Sequence, residues 1–455
     1  MSQRALPTLP APTSRPLRMR LATAAGALLL WAGGAQAQSL QQLYDLARGY
    51  DATYLAARAQ AESAGYRNEQ VKALNRPSVG LSANLTRSQT DASGSSSSSS
   101  TGTGVQLSAS QPLFNRDNDA AIGQGDKALA SALTELESAE HDLILRVTRA
   151  YFDVLAAQDA LAFTRADKTA IAEQLASARR NFEVGTATIT DTREAQARFD
   201  LATAQEIGAE NTLRTARIAL DLLVGRQDVT PRPLATPVQL PPLQPADVNA
   251  WVAPAEDSPP VRRARLAYDV ARLETERARA GHLPTVDLVG GLGTNHATRS
   301  NSGISSFTRS GTTTQAQVGV QLNLPLFAGY SIRNRVKETL ALEERSRNEL
   351  AAARRSVDQT TRQAFFSVQS GEATVKALEA AEASNKLALD ATLLGYKVGV
   401  RVNIDVLNAQ TQLFSTQRDL ARARYDVIVG TLQLRQAAGT LAPGDIANVD
   451  RLLVP

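Results

Sequence analysis

The stretch NFEVGTATITD (181–191) determines how this chain is interpreted, because a similar stretch, YKVGVRVNID (396–405), occurs again far downstream. The Val-Gly pair and the aspartate of the first stretch recur in the second at an offset of 214 residues. In both places a long helical pattern ends just before the glycine and another begins after it. Glycine allows a backbone reversal at positive φ, where other residues are strained. The sequence therefore predicts two helical hairpins with glycine turns at their tips.

The remainder of the chain repeats around these two turns. YFDV (151–154) matches FFSV (365–368) at the same offset, and Gly225 matches Gly439. Each unit contains a helix, two alternating segments around a polar loop, a long helix and a shorter return helix. The prediction is a mainly α fold with a small β part, built from two tandem repeats of helix, β-hairpin, long helix and helix.

The repeats divide the chain into segments. Residues 1–37 read as a signal peptide, with arginines before an apolar stretch too short to cross a bilayer. A proline-rich connector (229–260) joins the first repeat (38–228) to the second (261–440), and a tail follows (441–455). In the first repeat the predicted elements are strands at about 78–88 and 104–114, a long helix at about 119–184 and a return helix at about 191–224. In the second repeat they are strands at about 284–294 and 315–327, a long helix at about 331–398 and a return helix at about 405–440.

Charge and residue types exclude several classes of protein. The formal charge of +4 comes from four arginines in 1–37, which leaves 45 basic against 45 acidic residues. This balance gives no reason to expect nucleic acid as a partner. Cysteine is absent, and His141, His282 and His296 are far apart in sequence. With no catalytic, phosphate-binding or metal-ligand motif, we predict no enzyme activity, no cofactor and no metal.

The long helices carry a heptad pattern. Leu129, Leu136 and Leu143 are seven residues apart, and neither long helix contains a proline. Sustained heptads indicate helices packed along a coiled-coil seam. At 1.5 Å per residue each long helix would extend about 100 Å. A return helix covers about half of that length, so the incoming helix (39–75) could supply the other half if the two stack end to end.

The alternating segments have one apolar face and one polar face. Val79, Leu81 and Leu85 alternate with small polar residues, and Val318 and Val320 do the same in the second repeat. Such strands could cover a soluble helical core, or they could belong to an outer-membrane barrel whose apolar face meets lipid. The long polar loops predicted at 91–104 and 295–314 favour the barrel.

A barrel would need more than one chain. Four strands leave open edges whose unpaired backbone groups are costly in lipid. Two copies would give about eight strands filled with side chains, and three would give about twelve with room for a channel. The strand pattern alone does not choose between these numbers.

Five stretches of the chain are similar to those of one known family: AYFDVLAAQDAL (150–161), FEVGTATITD (182–191), GHLPTVDL (281–288), YKVGVRVNIDVLNAQTQL (396–413) and LARARYDV (420–427). With the order of helices and strands, they resemble the TolC family of outer-membrane efflux and secretion proteins. The resemblance implies a homotrimer with a shared 12-stranded outer-membrane β-barrel on a long periplasmic α-helical barrel. It also implies that the connector and the tail form a belt around the middle of the helices.

The same resemblance implies a function. The expected protein is an outer-membrane channel-tunnel that exports small molecules such as drugs, or proteins, from the periplasmic side of a Gram-negative bacterium to the exterior. Its expected partners are outer-membrane lipid, a periplasmic adaptor (membrane fusion) protein and an inner-membrane pump driven by protons or ATP. The alternative is a periplasmic coiled-coil scaffold or adaptor without a channel, which would explain the heptads but not the four amphipathic strands.

The resemblance assigns roles to residues near the tips. Asp405 is expected to face the periplasmic constriction, where three copies would make a negative ring; the alternative is that it caps the return helix. Asn408 stands where many relatives carry a second acid, so we predict a weaker cation preference that Asn408→Asp would raise. The expected adaptor-docking residues are Val184, Gly185, Thr186, Val398, Gly399 and Val400.

The resemblance also implies weak links that hold the closed state, which we call the closed-state latch. An exposed contact of this kind is worth about 0.2–1 kcal/mol, which suits a gate that a partner must open. For Asp191 a helix-capping pair with Glu194 is an alternative interpretation. The expected latch residues are Thr190, Asp191, Tyr396 and Arg401.

Overall fold

Two helices of unusual length dominate the structure, a computed structural model that describes residues 38–91, 97–235, 237–238, 240–302 and 306–454. They are α3 (Arg116–Glu183) and α7 (Ser331–Lys397), with 68 and 67 residues. At the usual rise, each is about 100 Å long. The predicted signal peptide at 1–37 lies outside the described residues. The other helices are α1 (Leu40–Tyr50), α2 (Ala52–Lys72), α4 (Ile189–Val224), α5 (Val248–Ala255), α6 (Pro259–Ala280), α8 (Asn403–Ala437) and α9 (Gly444–Asp450).

The partners of α3 change along its length. In its first part Asp126 bonds to α2 and Lys127 pairs with Asp269 of α6. Further along, Asp159 bonds to α8 and Arg165 pairs with α4. The helix α7 likewise packs against both α6 and α8. The incoming and return helices therefore share the length of the long ones, which is the arrangement their lengths predict. None of the helices among the described residues is long and apolar enough to cross a membrane.

The incoming segment of the first repeat is two helices, so the single helix predicted at 39–75 is wrong. Asp51 lies between α1 and α2, outside helical geometry, and its side chain caps α2 by accepting from the Tyr54 amide at 2.8 Å. Arg146 of α3 donates to both Asp51 carboxylate oxygens, at 2.8 and 2.9 Å. This buried, bidentate contact fixes the break against the long helix.

The strands form one antiparallel sheet in the order β1-β2-β3-β4. The loops predicted at 91–104 and 295–314 are wrong for the most part, because the described strands continue through 97–104, 295–302 and 307–314. Their Ser, Thr and Gly residues resemble a loop by composition, but unbroken pairing extends the hairpins. The last strand ends before Pro325, which cannot donate to a ladder. The bounds are β1 (Ser78–Thr90), β2 (Ser97–Phe114), β3 (Thr285–Ser302) and β4 (Phe307–Asn323).

The sheet remains open within one chain. Because β1 and β4 lie at its ends, each has one edge without a strand partner among the described residues. On one face Val79, Leu81 and Val318 are 70%, 74% and 84% exposed. An apolar face of this kind, with two open edges, is not a stable arrangement for an isolated sheet in water or in lipid.

The main core lies around the middle of α3, where the connector and the tail pack. The Tyr151 hydroxyl donates to the Arg232 carbonyl and accepts from the Arg232 amide, both at 2.8 Å. Leu234 of the connector pairs with Leu453 of the tail. Further along the connector, Trp251 of α5 packs against α7 and the end of α8. These contacts hold the connector and tail as a belt across both repeats.

Candidate functional site

The first tip is built by hydrogen bonds around a glycine. Helix α3 ends at Glu183, and Gly185 has φ +79°. The amides of Thr186 and Ala187 both donate to the Asn181 carbonyl, at 2.8 and 3.2 Å. A side chain at Gly185 would meet no atom within 4 Å, so the backbone angle and not space requires glycine there.

The second tip repeats the first at the level of single bonds. Gly399 also has φ +79°, and the amides of Val400 and Arg401 donate to the Gly395 carbonyl at 2.9 and 3.1 Å. Both turns are glycine-terminated helix ends in which the carbonyls left without helical partners are satisfied by amides beyond the glycine. The sequence repeat therefore encodes two equivalent tips.

Both tips expose apolar side chains. Val184 is 73% exposed, Val398 is 66% exposed and Val400 is 80% exposed. Thr186 is exposed beside Gly185. The tips are neighbours, since Asn181 at the first bonds to Tyr396 at the second over 3.2 Å. A surface that gathers apolar side chains at the end of a long hairpin is characteristic of a binding site for another protein.

Asp191 has a local partner within the protomer. Its carboxylate accepts from the Thr188 amide at 2.9 Å, and its own amide donates to the Thr188 hydroxyl at 3.2 Å. This is a capping box in which Thr188 is the N-cap and Asp191 is the third helical residue. The predicted capping pair with Glu194 therefore has the wrong partner. Thr190 is exposed and makes no side-chain hydrogen bond within the described part of the chain.

The other two predicted latch residues lie in separate contacts. The Tyr396 hydroxyl accepts from Asn181 Nδ2 of the other hairpin. Arg401 Nη1 lies 3.6 Å from the Asp405 carboxylate one turn away, and the two side chains are 60% and 35% exposed. Within one protomer, Tyr396 thus joins the two hairpins, whereas Arg401 partly balances the charge of Asp405.

The two residues predicted for the constriction, Asp405 and Asn408, lie on the first turns of α8. Val402 occupies the N-cap position without a side-chain bond, so the capping role considered for Asp405 is not present. Asp405 instead lies in the first turn, where the helix dipole favours a carboxylate. Asn408, one turn further on, is exposed and accepts from Arg198 Nη2 of α4 at 3.0 Å.

Two charged residues that no sequence pattern indicated, Arg198 and Asp167, lie in the interface between the hairpins near Asn408. Arg198 crosses from the first hairpin to α8, and Asp167 of α3 lies in the same interface, only 7% exposed. Burial raises the pKa of Asp167, while Arg198 and a hydrogen bond from Thr411 of α8 oppose that rise. Their signal is weak in sequence, because an aspartate or arginine in a heptad pattern usually marks a solvated position.

A second contact between the hairpins lies nearer the belt. The Tyr425 hydroxyl donates to Asp159 Oδ2 at 2.6 Å, and its ring stacks on Phe152 with centroids 5.4 Å apart. Burial raises the pKa of Asp159 and that of Tyr425. Tyr425 belongs to the main core, whereas Arg198 and Asn408 do not. The hairpins are therefore joined near the belt by the main core, and near the tips by polar contacts and a smaller apolar cluster in which Leu407 of α8 packs against α3 and α4.

A cleft of about 1100 Å³ lies between α3, α4 and α8. Its α3 residues, such as Arg149 and Asp153, lie on the side of the helix away from Tyr151, which faces the belt. Four arginines and three aspartates line it among alanines and aromatic rings, so its wall is mixed in polarity and nearly balanced in charge. No cluster of His, Asp or Glu in the described ranges is placed to hold a metal ion.

Comparison with known proteins agrees with this architecture. The family model described as outer membrane efflux protein matches residues 35–226 and 255–440. The outer membrane protein TolC of Vibrio cholerae is 32% identical over 91% of this chain and 93% of its own length. The alkaline protease secretion protein AprF of Pseudomonas aeruginosa is 36% identical over 75% of this chain and 71% of its own length.

Solved structures agree on the fold. The crystal structure of the outer membrane protein VceC of Vibrio cholerae superposes with a TM-score of 0.75 and 19% identity, covering 88% of this chain and 96% of that one. Two helical repeats, two glycine tips and one four-stranded sheet thus occur together with the family match over nearly all of the chain after residue 34. The chain belongs to the outer membrane efflux protein family, and it is an export channel of the outer membrane whose helices form a periplasmic tunnel.

Proposed function

We propose that three copies of this chain assemble into one continuous duct. The observation that carries this proposal is the open sheet, with unpaired edges on β1 and β4 and an exposed apolar face that includes Val79 and Val318. Pairing β4 of one copy with β1 of the next satisfies both edges. Three copies give about twelve strands, enough to enclose a channel.

The tips are the surface that receives a periplasmic adaptor, which connects the duct to an inner-membrane pump. The docking residues are those of the two glycine turns, where Val184 and Thr186 flank Gly185 and exposed valines flank Gly399. The names of the relatives include both an efflux family and a protease secretion protein, so small molecules and proteins are the two candidate classes of cargo. The cleft, which has both apolar and charged side chains in its wall, is compatible with either class.

The gate is formed where the hairpins meet above the tips. Three copies of Asp405 form the constriction, with Arg401 beside each carboxylate. The closed state is held by contacts of Tyr396 and Asn408 with the first hairpin. Opening requires the second hairpin to move away from the first, which breaks contacts worth about 0.2–1 kcal/mol each at exposed positions. Asp191 and Thr190 belong to the latch through contacts with a neighbouring copy.

Cross-linking tests the gate, because the chain has no cysteine of its own. Arg198→Cys with Asn408→Cys, joined by a short bifunctional thiol reagent, ties the two hairpins together. We expect export to stop and to be restored when a reductant-cleavable reagent is cleaved. The matched control is Glu379→Cys with Arg424→Cys, a contact of 2.8 Å within the second hairpin, which should leave export intact. Export that continues through the tied hairpins would refute the proposed movement.

A further inference from the structure

One row of side chains crosses the sheet near its outer end. Ser88 pairs with Ser100, Ser100 pairs with Arg299, and Arg299 pairs with Arg309. The two serine hydroxyls are 2.7 Å apart. The row therefore contains two hydroxyl groups followed by two guanidinium groups, one from each strand in turn.

The row lies on the face opposite the apolar residues. Alternate residues of a strand share a face, so Arg299 lies on the face of Asp287 and away from Leu292. Arg309 likewise lies away from Val318. The register along β3 and β4 is unbroken between these positions, so the alternation carries through. In the proposed barrel this face lines the channel.

The row also lies beyond the apolar band. That band extends furthest on β1, where Leu85 lies level with His296 of β3, and Arg299 follows His296 by three residues. At the rise of a strand this is about 10 Å further along. The two arginines therefore line the part of the duct that projects outward from the membrane.

The charge at this level is of one sign. In the described strands the only other charged residues are Arg87, on the opposite face, and Asp287, at the far end of the sheet. Asp91 follows β1, and its carboxylate accepts from Gln89. Like charges placed directly opposite each other destabilise a sheet. Neither Arg299 nor Arg309 has an ion-pair partner in the ranges described, so nothing there compensates for this repulsion.

We propose that Arg299, Arg309, Ser88 and Ser100 form an anion-binding collar inside the outer mouth of the duct, with small oxyanions such as phosphates as its ligands. The proposal rests on the proposed shared barrel, which brings three copies of the row to one level. Guanidinium groups bind oxyanions through paired hydrogen bonds, and the hydroxyls add further donors. The ligand is a solute anion in the channel, whereas Arg87 on the outer face is placed to meet lipid headgroup phosphate.

The test is block of the channel by inorganic pyrophosphate in planar bilayers. Pyrophosphate added on the extracellular side should reduce the current of the unchanged protein, most strongly at potentials that drive anions inward. Arg299→Gln with Arg309→Gln should raise the half-blocking concentration at least tenfold. Pyrophosphate should block the channel of the matched control Arg87→Gln at the same concentration as that of the unchanged protein. The channel of Arg299→Lys with Arg309→Lys should retain most of the block.

The outcomes distinguish a failure of the proposed collar from a failure of the proposed duct. Equal half-blocking concentrations for the unchanged protein and the glutamine double variant would overturn the proposed collar. Loss of block in Arg87→Gln alone would overturn it as well. If the unchanged protein forms no channel, the duct itself fails, and pyrophosphate binding to the detergent-solubilised protein measured by calorimetry then decides the collar. If the glutamine double variant binds pyrophosphate as tightly as the unchanged protein does, the proposed collar is refuted.

Discussion

At the residue scale, Arg198 links the two hairpins near the proposed gate. It extends from α4 to Asn408 of α8 at 3.0 Å, and its charge also favours the ionised form of the buried Asp167. One guanidinium group thus interacts with Asp167 of α3 and with Asn408 of α8. Asn408, at the position where many relatives were expected to carry a second acid, is the acceptor of this hydrogen bond.

The first residue-scale prediction concerns ion selectivity at Asn408. Asn408→Asp adds a carboxylate to the constriction and should raise cation-over-anion permeability. Because Arg198 lies within hydrogen-bond distance, it should pair with the new charge and keep the increase small. Arg198→Gln combined with Asn408→Asp should therefore give the larger increase. Reversal potentials in a salt gradient measure both.

Arg193→Gln combined with Asn408→Asp is the matched control for this prediction, since Arg193 is an exposed arginine of the same helix. This double variant should have the same cation-over-anion permeability as Asn408→Asp alone. Equal selectivity in the two double variants would show that Arg198 does not shield the constriction, and no change in any variant would remove Asn408 from the pore.

A second residue-scale prediction concerns pH. Burial raises the pKa of Asp167 above its ordinary value of 3.8. A carboxyl group with a raised pKa binds its proton more tightly in the folded protein, so stability is greatest below the ordinary value and falls as pH rises through the raised one. Asp167→Asn is neutral throughout and should raise the melting temperature at neutral pH, with the difference shrinking toward pH 3.8.

Thermal unfolding in detergent across that pH range measures the effect of Asp167→Asn. The control is Asp390→Asn on α7, where the carboxylate is exposed and the difference between variant and parent should not depend on pH in this way. A melting temperature that Asp167→Asn lowers at neutral pH would mean that the ionised carboxylate stabilises the folded protein, which would contradict the prediction.

At the scale of elements, α3 and α8 are joined most firmly at Tyr425. Its ring lies in the main core while its hydroxyl satisfies the half-buried Asp159. Nearer the tips the interface between the same helices contains buried polar atoms without partners among the described residues, on Asp167, Asn403 and Gln410. The apolar cluster around Leu407 also lies there, but it is much smaller than the main core. Buried groups without partners lower the cost of separating this part of the interface. The second hairpin is thus expected to pivot near Tyr425.

Tyr425→Phe tests this pivot. The variant keeps the ring stacking on Phe152 but leaves the Asp159 carboxylate without its donor, which should destabilise the protein by about 1–3 kcal/mol. The control Tyr66→Phe removes an exposed hydrogen bond to Glu62 and should change stability by less than about 0.5 kcal/mol. Denaturant unfolding in detergent compares them. Equal stability of the two variants would count against an anchored pivot at this position.

The elements also show what sequence can and cannot predict. The tip glycines, the heptads and the apolar strand faces were predicted because each depends on residues close together in the chain. The break at Asp51 was missed although its capping side chain was a local signal. The contact of Arg198 with Asn408 joins residues 210 positions apart. No local pattern predicts it, because it depends on which helices become neighbours.

At the scale of the whole molecule, a single chain leaves several of its surfaces uncovered. The two open sheet edges and the exposed apolar face have no covering surface within the protomer, at least in the part of the chain that the structure describes. The long helices have the same property, since Leu133 of α3, four residues after Leu129 of the heptad pattern, is 52% exposed. Neighbouring copies are the covering surface that satisfies the sheet and the helices together.

Electron cryo-microscopy of the full-length protein reconstituted in lipid nanodiscs tests this claim most directly. We predict three copies around one threefold axis, with β4 of each copy hydrogen-bonded to β1 of the next in a single closed barrel. A particle in which each chain closes its own sheet, or a monomer with its apolar face away from lipid, would contradict it.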